Sequence, residues 1–124
     1  MVQRTILLVE DDAPVRQLFV RALAAAGYRV YEARNGEEAI DCFEKHGPEV
    51  DLLITDMKMP HVSGDAVVNE LRRREQHLKV LCVSAYRTSM NIGCDRFLVK
   101  PFTNAEFLSA VRDLIATAEP TPQG

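Results

Sequence analysis

The fold is decided by the stretch Asp51-Leu52-Leu53-Ile54-Thr55-Asp56-Met57-Lys58-Met59-Pro60. Its apolar run stops at the carboxylate of Asp56, and Pro60 follows four residues later. This pattern predicts a buried strand that delivers Asp56 to its C-terminal end, where the chain then turns. Ligands bind at that edge of an open parallel sheet. A lone aspartate often only caps a turn, so the rest of the chain must decide between the two interpretations.

Four further segments have the character of strands. Ile6-Leu7-Leu8-Val9 is a continuous apolar run followed by three acids, which predicts a buried strand with carboxylates at its C-terminal end. Residues 28–33 mix Val and Tyr with Arg and Glu, which suits a more exposed strand at the edge of a sheet. Residues 80–83 and 96–99 are the fourth and fifth predicted strands in chain order.

The first predicted helix follows the three acids. Asp12 is a suitable N-cap, Pro14 fits the first turn, and Gly27 ends the helix. Helical spacing predicts an apolar stripe that faces the core. The stripe consists of Val15, Leu18, Phe19, Ala22, Leu23 and Ala26.

Further helices are predicted between the remaining strands and after the last one. Asn35 with Glu38 forms a capping pair for the second helix, and Thr103 with Glu106 forms one for the last. Near the end of the third helix, the basic run at residues 72–74 indicates a solvated face. The apolar sides of these helices are assigned to Ala39, Ile40 and Phe43, to Val67, Val68 and Leu71, and to Phe107, Leu108, Val111, Leu114 and Ile115.

Strands that alternate with helices predict a single α/β domain around a parallel sheet. Right-handed crossovers place the C-terminal end of every strand at one edge of that sheet. We expect a flavodoxin-like, doubly wound sheet of five strands in the order 2-1-3-4-5. In that order the first and third strands are neighbours at the topological switch point, where ligands bind.

The composition excludes several classes of protein. A net charge of -3 over 124 residues provides no basic surface, so we expect no direct binding of nucleic acid. No apolar run approaches the roughly 18 residues of a transmembrane helix, and the N-terminus lacks the pattern of a signal peptide. We therefore expect no membrane association and a cytoplasmic location. The three cysteines have no metal-binding spacing, which favours reduced thiols.

Polar side chains follow four of the predicted strands. They are Glu10 and Asp11 after the first, Asp56 after the third, Ser84 after the fourth and Lys100 after the fifth. Carboxylates that meet in one pocket repel one another and must share protons or bind a cation. Ligands that are all oxygens favour a hard ion such as Mg²⁺. An aspartate in such a site can form an aspartyl-phosphate when Mg²⁺, an ammonium and a hydroxyl neutralise and position the phosphoryl group.

These motifs resemble the receiver domain of the two-component response regulator family. The resemblance runs from about Thr5 to Ile115, nearly the whole chain. It implies a domain over residues 1–118, followed by a disordered tail or linker remnant over residues 119–124. The motifs are Leu8-Val9-Glu10-Asp11-Asp12, Asp56-Met57-Lys58-Met59-Pro60 with Gly64 after it, Ser84-Ala85, and Lys100-Pro101-Phe102.

The resemblance implies a role for each of these residues. Asp56 would accept a phosphoryl group from a phosphohistidine on a histidine kinase or a histidine phosphotransfer protein. Asp11, Asp56 and the backbone carbonyl of Lys58 would bind Mg²⁺ directly, and Glu10 would act mostly through water. An effector domain or an output protein would then respond to the phosphorylated state.

The resemblance also implies a switch. Ser84 and Lys100 would hold the phosphoryl oxygens, and the hydroxyl of Ser84 would move toward the phosphate on activation. Phe97, three residues before Lys100, would change rotamer with it. A phosphate shifts such a two-state element only through its different contacts in the two states. Phe97 is equally compatible with a plain core position, and it lacks the hydroxyl of the tyrosine that is commoner there.

The sequence departs from the family between Ser84 and Lys100. Receivers have room there for about six more residues, which is nearly two helical turns. Residues 86–96 show no amphipathic stripe, so we expect the helix of this interval to be absent or reduced to about one turn. Met90 and Ile92 would then either cover the core or form a patch that binds a partner.

Two other functions compete with phosphorylation-controlled signalling. A Mg²⁺-dependent phosphohydrolase would also use Asp56 as a nucleophile, but Lys58 stands where its general acid is needed, and no insertion provides a substrate lid. The chain is therefore expected to catalyse only its own phosphorylation and dephosphorylation. The other alternative is a receiver-like scaffold that is never phosphorylated, against which the complete set of acids, Ser84 and Lys100 argues.

Overall fold

Five strands alternate with four helices in the computed structural model, which describes residues 3–57, 63–85 and 93–117. The strands are β1 (Thr5–Val9), β2 (Arg29–Ala33), β3 (Leu52–Asp56), β4 (Lys79–Ser84) and β5 (Arg96–Val99). The helices are α1 (Ala13–Ala25), α2 (Gly36–His46), α3 (Gly64–Arg74) and α4 (Asn104–Thr117), and a 3₁₀ turn at Gly47–Glu49 precedes β3.

The strands form one parallel sheet in the order β2-β1-β3-β4-β5, which confirms the predicted flavodoxin-like arrangement. β1 lies between β2 and β3, with Val9 opposite both Ala33 and Thr55. On the other side of β3, Asp56 lies opposite Val83. This register brings the C-terminal ends of β1, β3 and β4 together at one edge of the sheet.

Helices cover both faces of the sheet, and each face has its own apolar core. Leu7 and Val9 of β1 belong to the core beneath α2 and α3, whereas Ile6 and Leu8 belong to the core beneath α1 and α4. This alternation follows from the pleat, because successive side chains of a strand point to opposite faces. All residues of β1 and β3 are buried, as expected for strands covered on both sides.

Side chains cap the helices where the sequence predicts. Asp12 Oδ1 accepts a hydrogen bond from the Val15 N–H at 3.1 Å, which opens α1. At the start of α4, Thr103 Oγ1 accepts from the Glu106 N–H at 3.0 Å, and Glu106 Oε1 accepts from the Thr103 N–H at 2.8 Å. This reciprocal pair satisfies two backbone donors that a helix start leaves without partners.

The predicted apolar stripe of α1 is correct at Phe19, Ala22 and Leu23, which pack in the core beneath α1 and α4, but it is wrong at Leu18 and Ala26, which are exposed. Leu18 is 63% exposed, whereas Arg16 and Leu23 are the buried residues of this helix. The buried face is centred on positions 16, 19, 20 and 23, and it is rotated away from Leu18. Arg16, which the apolar pattern did not include, also faces inward, where its guanidinium donates to Glu10 and Glu32.

The interval between β4 and β5 is short. Ala85 and residues 93–95 contain no helix, so the four helices of the described chain fit the expected shortening of this region. Residues 86–92 lie outside the described residues, and the two alternatives for Met90 and Ile92 stay open. The tail at 119–124 also lies outside them, so the domain boundary at residue 118 remains a prediction. Among the residues that the structure describes, no helix is both long and apolar enough to cross a bilayer.

Arg72 is not part of a solvated face as predicted. Its Nε donates to the Leu78 carbonyl at 2.9 Å, and its Nη1 donates to the Gly93 carbonyl at 2.7 Å. Its Nη2 donates to Asp95 Oδ2 at 2.6 Å, and the same oxygen accepts from the Val80 N–H at 2.8 Å. One guanidinium therefore joins the end of α3 to the chain that leads into β5.

We predict that Arg72→Met destabilises the fold by about 1–3 kcal/mol, because it removes charge-assisted hydrogen bonds to two carbonyls and a half-buried carboxylate. Urea denaturation measures the change. Arg73→Met is the matched control, since the side chain of Arg73 is 76% exposed and pairs with Glu70 on the same helix. We expect the control to change stability by about 0.5 kcal/mol or less. Equal losses in the two variants would contradict a role for Arg72 in joining these elements.

Candidate functional site

The candidate site lies at the sheet edge where β1 and β3 end side by side. Val9 and Thr55 are opposite each other, so the next residues of the two strands, Glu10 and Asp56, enter the same pocket. β5 reaches this edge beside β4, and the Lys100 N–H donates to the Ser84 carbonyl at 2.7 Å. The sheet thus brings together polar residues from four separate parts of the chain.

Three carboxylates converge in this pocket. One carboxylate oxygen from each of Glu10, Asp11 and Asp56 lies within 4.8 Å of the others. Glu10 is 1% exposed and Asp56 is 7% exposed, whereas Asp11 is open to solvent. An oxygen-only cluster with one open side suits a hard divalent cation that retains several water ligands. The donor set therefore fits Mg²⁺.

The ammonium of Lys100 lies between the two buried acids. Its Nζ is 3.4 Å from Glu10 Oε1 and 3.3 Å from Asp56 Oδ2. Within the part of the pocket that the structure describes, the charge of Lys100 faces two carboxylates, so it does not balance both acids when both are ionised. That residual charge favours a bound cation or a shared proton.

The pKa values of Glu10 and Lys100 are both raised in this pocket. Burial raises the pKa of Glu10 from 4.5 to about 7; the Asp12 N–H and the Lys100 ammonium oppose this rise, and the carboxylate of Asp56 adds to it. Burial disfavours the charged form of Lys100, but the carboxylates of Asp56 and Glu10 outweigh it and raise the pKa of Lys100 above its ordinary value. Lys100 therefore stays an ammonium while Glu10 exchanges a proton near neutral pH.

The other predicted site residues are placed as follows. Ser84 is buried at the end of β4, next to the Lys100 backbone. Phe97 is half-buried on β5 opposite Cys82, and it packs against the core beneath α2 and α3. Lys58 lies outside the described residues. The structure thus brings Glu10, Asp11, Asp56 and Lys100 together, and the roles assigned to all of these residues remain predictions.

The start of α3 approaches the site very closely. The Gly64 N–H donates to the Met57 carbonyl at 3.3 Å, and the Met57 N–H donates to the Val83 carbonyl at 3.0 Å. A Cβ on Gly64 would lie 2.7 Å from the Asp56 carbonyl oxygen and 2.8 Å from the Met57 Cα. Such distances cannot be accommodated without moving the backbone that carries Asp56. This contact explains the glycine that follows the Asp56 motif.

Sequence reasoning missed Arg16, whose buried guanidinium donates from Nη1 to the Glu10 carbonyl at 2.8 Å. The signal available in the sequence was an arginine five residues after Asp11, on the first helix. Spacing alone did not show that its partner is a backbone carbonyl of the acidic motif.

Comparison with known proteins places the chain in a family. A family model described as the response regulator receiver domain matches residues 6–112. The chain belongs to this family. The chain is therefore a receiver domain of phosphorylation-controlled two-component signalling, a class that interacts with histidine kinases or phosphotransfer proteins and with output domains. The receiver fold is generally that of a signalling domain rather than of a classical enzyme.

Individual relatives agree with this assignment. The receiver domain is 38% identical over 117 residues to the sensor kinase CckA of Brucella abortus, covering 90% of this chain and 12% of that protein. It is 34% identical over 120 residues to the probable transcriptional regulator ycf27 of Porphyra purpurea, covering 92% of this chain and 48% of that protein. The chain thus spans half or less of the length of these two curated relatives.

Among solved structures, the response regulator TrrA of Thermotoga maritima, in complex with Mg²⁺-BeF, is similar with a TM-score of 0.84. It is 33% identical, and the match covers 90% of this receiver domain and 99% of TrrA.

Glu10 generates a prediction about pH. The folded receiver domain holds the Glu10 proton up to about pH 7, whereas the unfolded chain releases it near 4.5. A pKa raised on folding makes the folded state bind more protons in this window, so its stabilising effect is present below about pH 4.5 and is lost as pH rises to about 7. Glu10→Gln should therefore gain stability relative to wild type as pH rises through this window.

Urea denaturation at several pH values, without divalent cations, measures this difference. Glu37→Gln on the exposed start of α2 makes the same chemical change outside the pocket. Its difference in unfolding free energy from wild type should not show the pH dependence expected for Glu10→Gln. A constant difference between Glu10→Gln and wild type across the window would contradict the raised pKa.

Gly64 generates a second prediction. Gly64→Ala should destabilise the receiver domain by about 1–3 kcal/mol, because the added methyl group forces the backbone of Asp56 and Met57 apart from α3. Chemical denaturation measures the loss. Ala66→Ser adds one heavy atom to the exposed side of the same helical turn and should change stability by about 0.5 kcal/mol or less. An unchanged unfolding free energy in Gly64→Ala would contradict this prediction, because it would show that the backbone of Asp56 and Met57 moves at little cost.

Proposed function

We propose that Asp56 accepts a phosphoryl group from a phosphohistidine on a histidine kinase or a histidine phosphotransfer protein. The observation that carries this proposal is the buried Asp56 carboxylate, which shares a pocket with Glu10 and Asp11 and lies 3.3 Å from the Lys100 ammonium. A carboxylate is a weak nucleophile, so the reaction depends on positioning and on neutralising the charge of the incoming group.

Asp11, Asp56 and the carbonyl of Lys58 would hold Mg²⁺, with Glu10 acting mostly through water. When bound, Mg²⁺ supplies positive charge to the phosphoryl oxygens during transfer. The oxygen-only donor set and its open side at Asp11 support this assignment. The relative TrrA, whose structure was solved with Mg²⁺-BeF, supports it independently.

Lys100 and Ser84 would hold the phosphoryl oxygens. Lys100 keeps its positive charge, because the neighbouring carboxylates raise its pKa. Its Nζ can exchange the contact with Asp56 for one with a phosphoryl oxygen on that same side chain. Ser84 ends the adjacent strand β4, from which its hydroxyl would donate to a second oxygen.

The aspartyl-phosphate would act as a marker of state, not as an intermediate in the turnover of a separate substrate. The domain would catalyse only its own phosphorylation and dephosphorylation, in the cytoplasm, and would report to an effector domain or an output protein. Phe97, half-buried on β5 beside β4, would carry the change from Ser84 toward the surface.

Intact mass after incubation with acetyl phosphate tests the proposal. Wild type should gain one phosphoryl group in the presence of Mg²⁺ and none when Mg²⁺ is chelated, and Asp56→Asn should gain none. Asp41→Asn removes an exposed carboxylate on α2 and should gain the group as wild type does.

A phosphoryl group on Asp56→Asn would exclude Asp56 as the acceptor. No gain by wild type, either from acetyl phosphate or from a phosphorylated histidine phosphotransfer protein, would favour the unphosphorylated scaffold instead.

A further inference from the structure

Arg16 is a buried cation on α1 that donates to a backbone carbonyl and to a carboxylate. The residue is 9% exposed, and its Nη1 donates to the Glu10 carbonyl at 2.8 Å. Its Nε donates to Glu32 Oε1 at 3.2 Å. Burying an arginine is costly unless its donors are satisfied, so this arrangement needs both partners.

The Glu10 contact matters because, besides its ion pair with Lys100, Glu10 is held at three points. Its N–H donates to the Ala33 carbonyl on β2 at 3.0 Å. Its side-chain Oε2 accepts from the Asp12 N–H at 3.1 Å. The Arg16 guanidinium holds the third point, the carbonyl of the peptide that joins Glu10 to Asp11. The orientation of this peptide determines where the next residue, Asp11, presents its carboxylate.

Glu32 holds Arg16 in turn. Its Oε1 accepts from Arg16 Nε and also from Gln17 Nε2 at 3.1 Å. Glu32 lies on β2, where the register places it opposite Leu8 of β1. The negative charge of Glu32 offsets the charge of Arg16, so Arg16 does not serve mainly to neutralise the acids. Its planar donor fork instead spans a carbonyl and a carboxylate at fixed positions.

We propose that Arg16 is a positioning residue for the magnesium site, acting through the Glu10 carbonyl and oriented by Glu32. This inference rests on the proposed function, because it concerns the same acids. Residues behind metal ligands fix the ligands' orientation, and losing one typically weakens metal affinity about 10–100-fold. Arg16→Met should therefore weaken Mg²⁺ binding by about tenfold or more.

The test measures Mg²⁺ affinity of the unphosphorylated chain by isothermal titration calorimetry, which does not depend on phosphoryl transfer. Arg34→Met is the matched control, because it removes an arginine whose guanidinium pairs with Glu38 on the surface, and its side chain is 70% exposed. We expect the control to bind Mg²⁺ with an affinity within about twofold of wild type. Asp11→Ala provides the reference for loss of a direct ligand.

Two conservative variants distinguish positioning from general stability. Arg16→Lys keeps the charge but cannot span both partners, so it should recover only part of the affinity. Glu32→Gln keeps Arg16 but weakens its orientation, and it should weaken Mg²⁺ binding about threefold or more. Thermal unfolding is recorded for each variant, so that affinity is compared only among folded proteins.

The outcomes separate this inference from the proposed function. If wild type binds Mg²⁺ and Asp11→Ala does not, unchanged affinity in folded Arg16→Met overturns the role of Arg16 alone. If Arg16→Met does not fold, unchanged affinity in Glu32→Gln overturns it. If wild type binds no Mg²⁺, both the metal site and the role of Arg16 are wrong. Wild-type Mg²⁺ affinity in Arg16→Lys would show that Arg16 contributes only its charge, which would overturn its role as a positioning residue.

Discussion

Among the described residues, the structure depends on placing the two buried carboxylates of Glu10 and Asp56 beside the ammonium of Lys100. Glu10 and Asp56 leave adjacent parallel strands at the same edge, and Lys100 contacts both at 3.3–3.4 Å. In the part of the chain that the structure describes, the charge of Lys100 does not neutralise the carboxylates of both Glu10 and Asp56, which are buried, so the site favours a proton or a cation. The raised pKa of Glu10 shows that this carboxyl group retains a proton more readily than usual. The exposed Asp11 leaves room for a cation to bind.

Maintaining this imbalance requires a rigid frame behind the pocket. The cores on the two faces of the sheet bury β1 and β3 completely, which determines the positions of the strand ends. Gly64 lets α3 approach the backbone of Asp56 and Met57, and Arg16 holds the Glu10 carbonyl from α1. The acids are thus positioned by their backbones, which leaves their carboxylates available for a ligand.

Much of the fold and most of the site were predictable from local pattern. Apolar runs that end in acids, reciprocal capping residues and strand–helix alternation each act over a few residues, and they specified β1, β3, α4 and the parallel sheet. The meeting of Glu10, Asp11, Asp56 and Lys100 followed, because parallel strands of one doubly wound sheet share an edge. The inward positions of Arg16 and Arg72 were not predictable, since each depends on partners that its guanidinium meets in other segments of the chain.

The sequence by itself determined the order of strands and helices, the family and the identity of the acids at the strand ends. These properties depend on side-chain periodicity and on motifs of adjacent residues, both of which can be identified without the tertiary structure. Only the tertiary structure decided that Arg16 faces inward to Glu10 and Glu32, and that Arg72 joins α3 to the chain entering β5. From sequence alone an arginine is predicted to lie at the surface. Its buried position depends on carbonyls and carboxylates that folding brings within reach of its donors, and these lie up to 23 residues away in the chain.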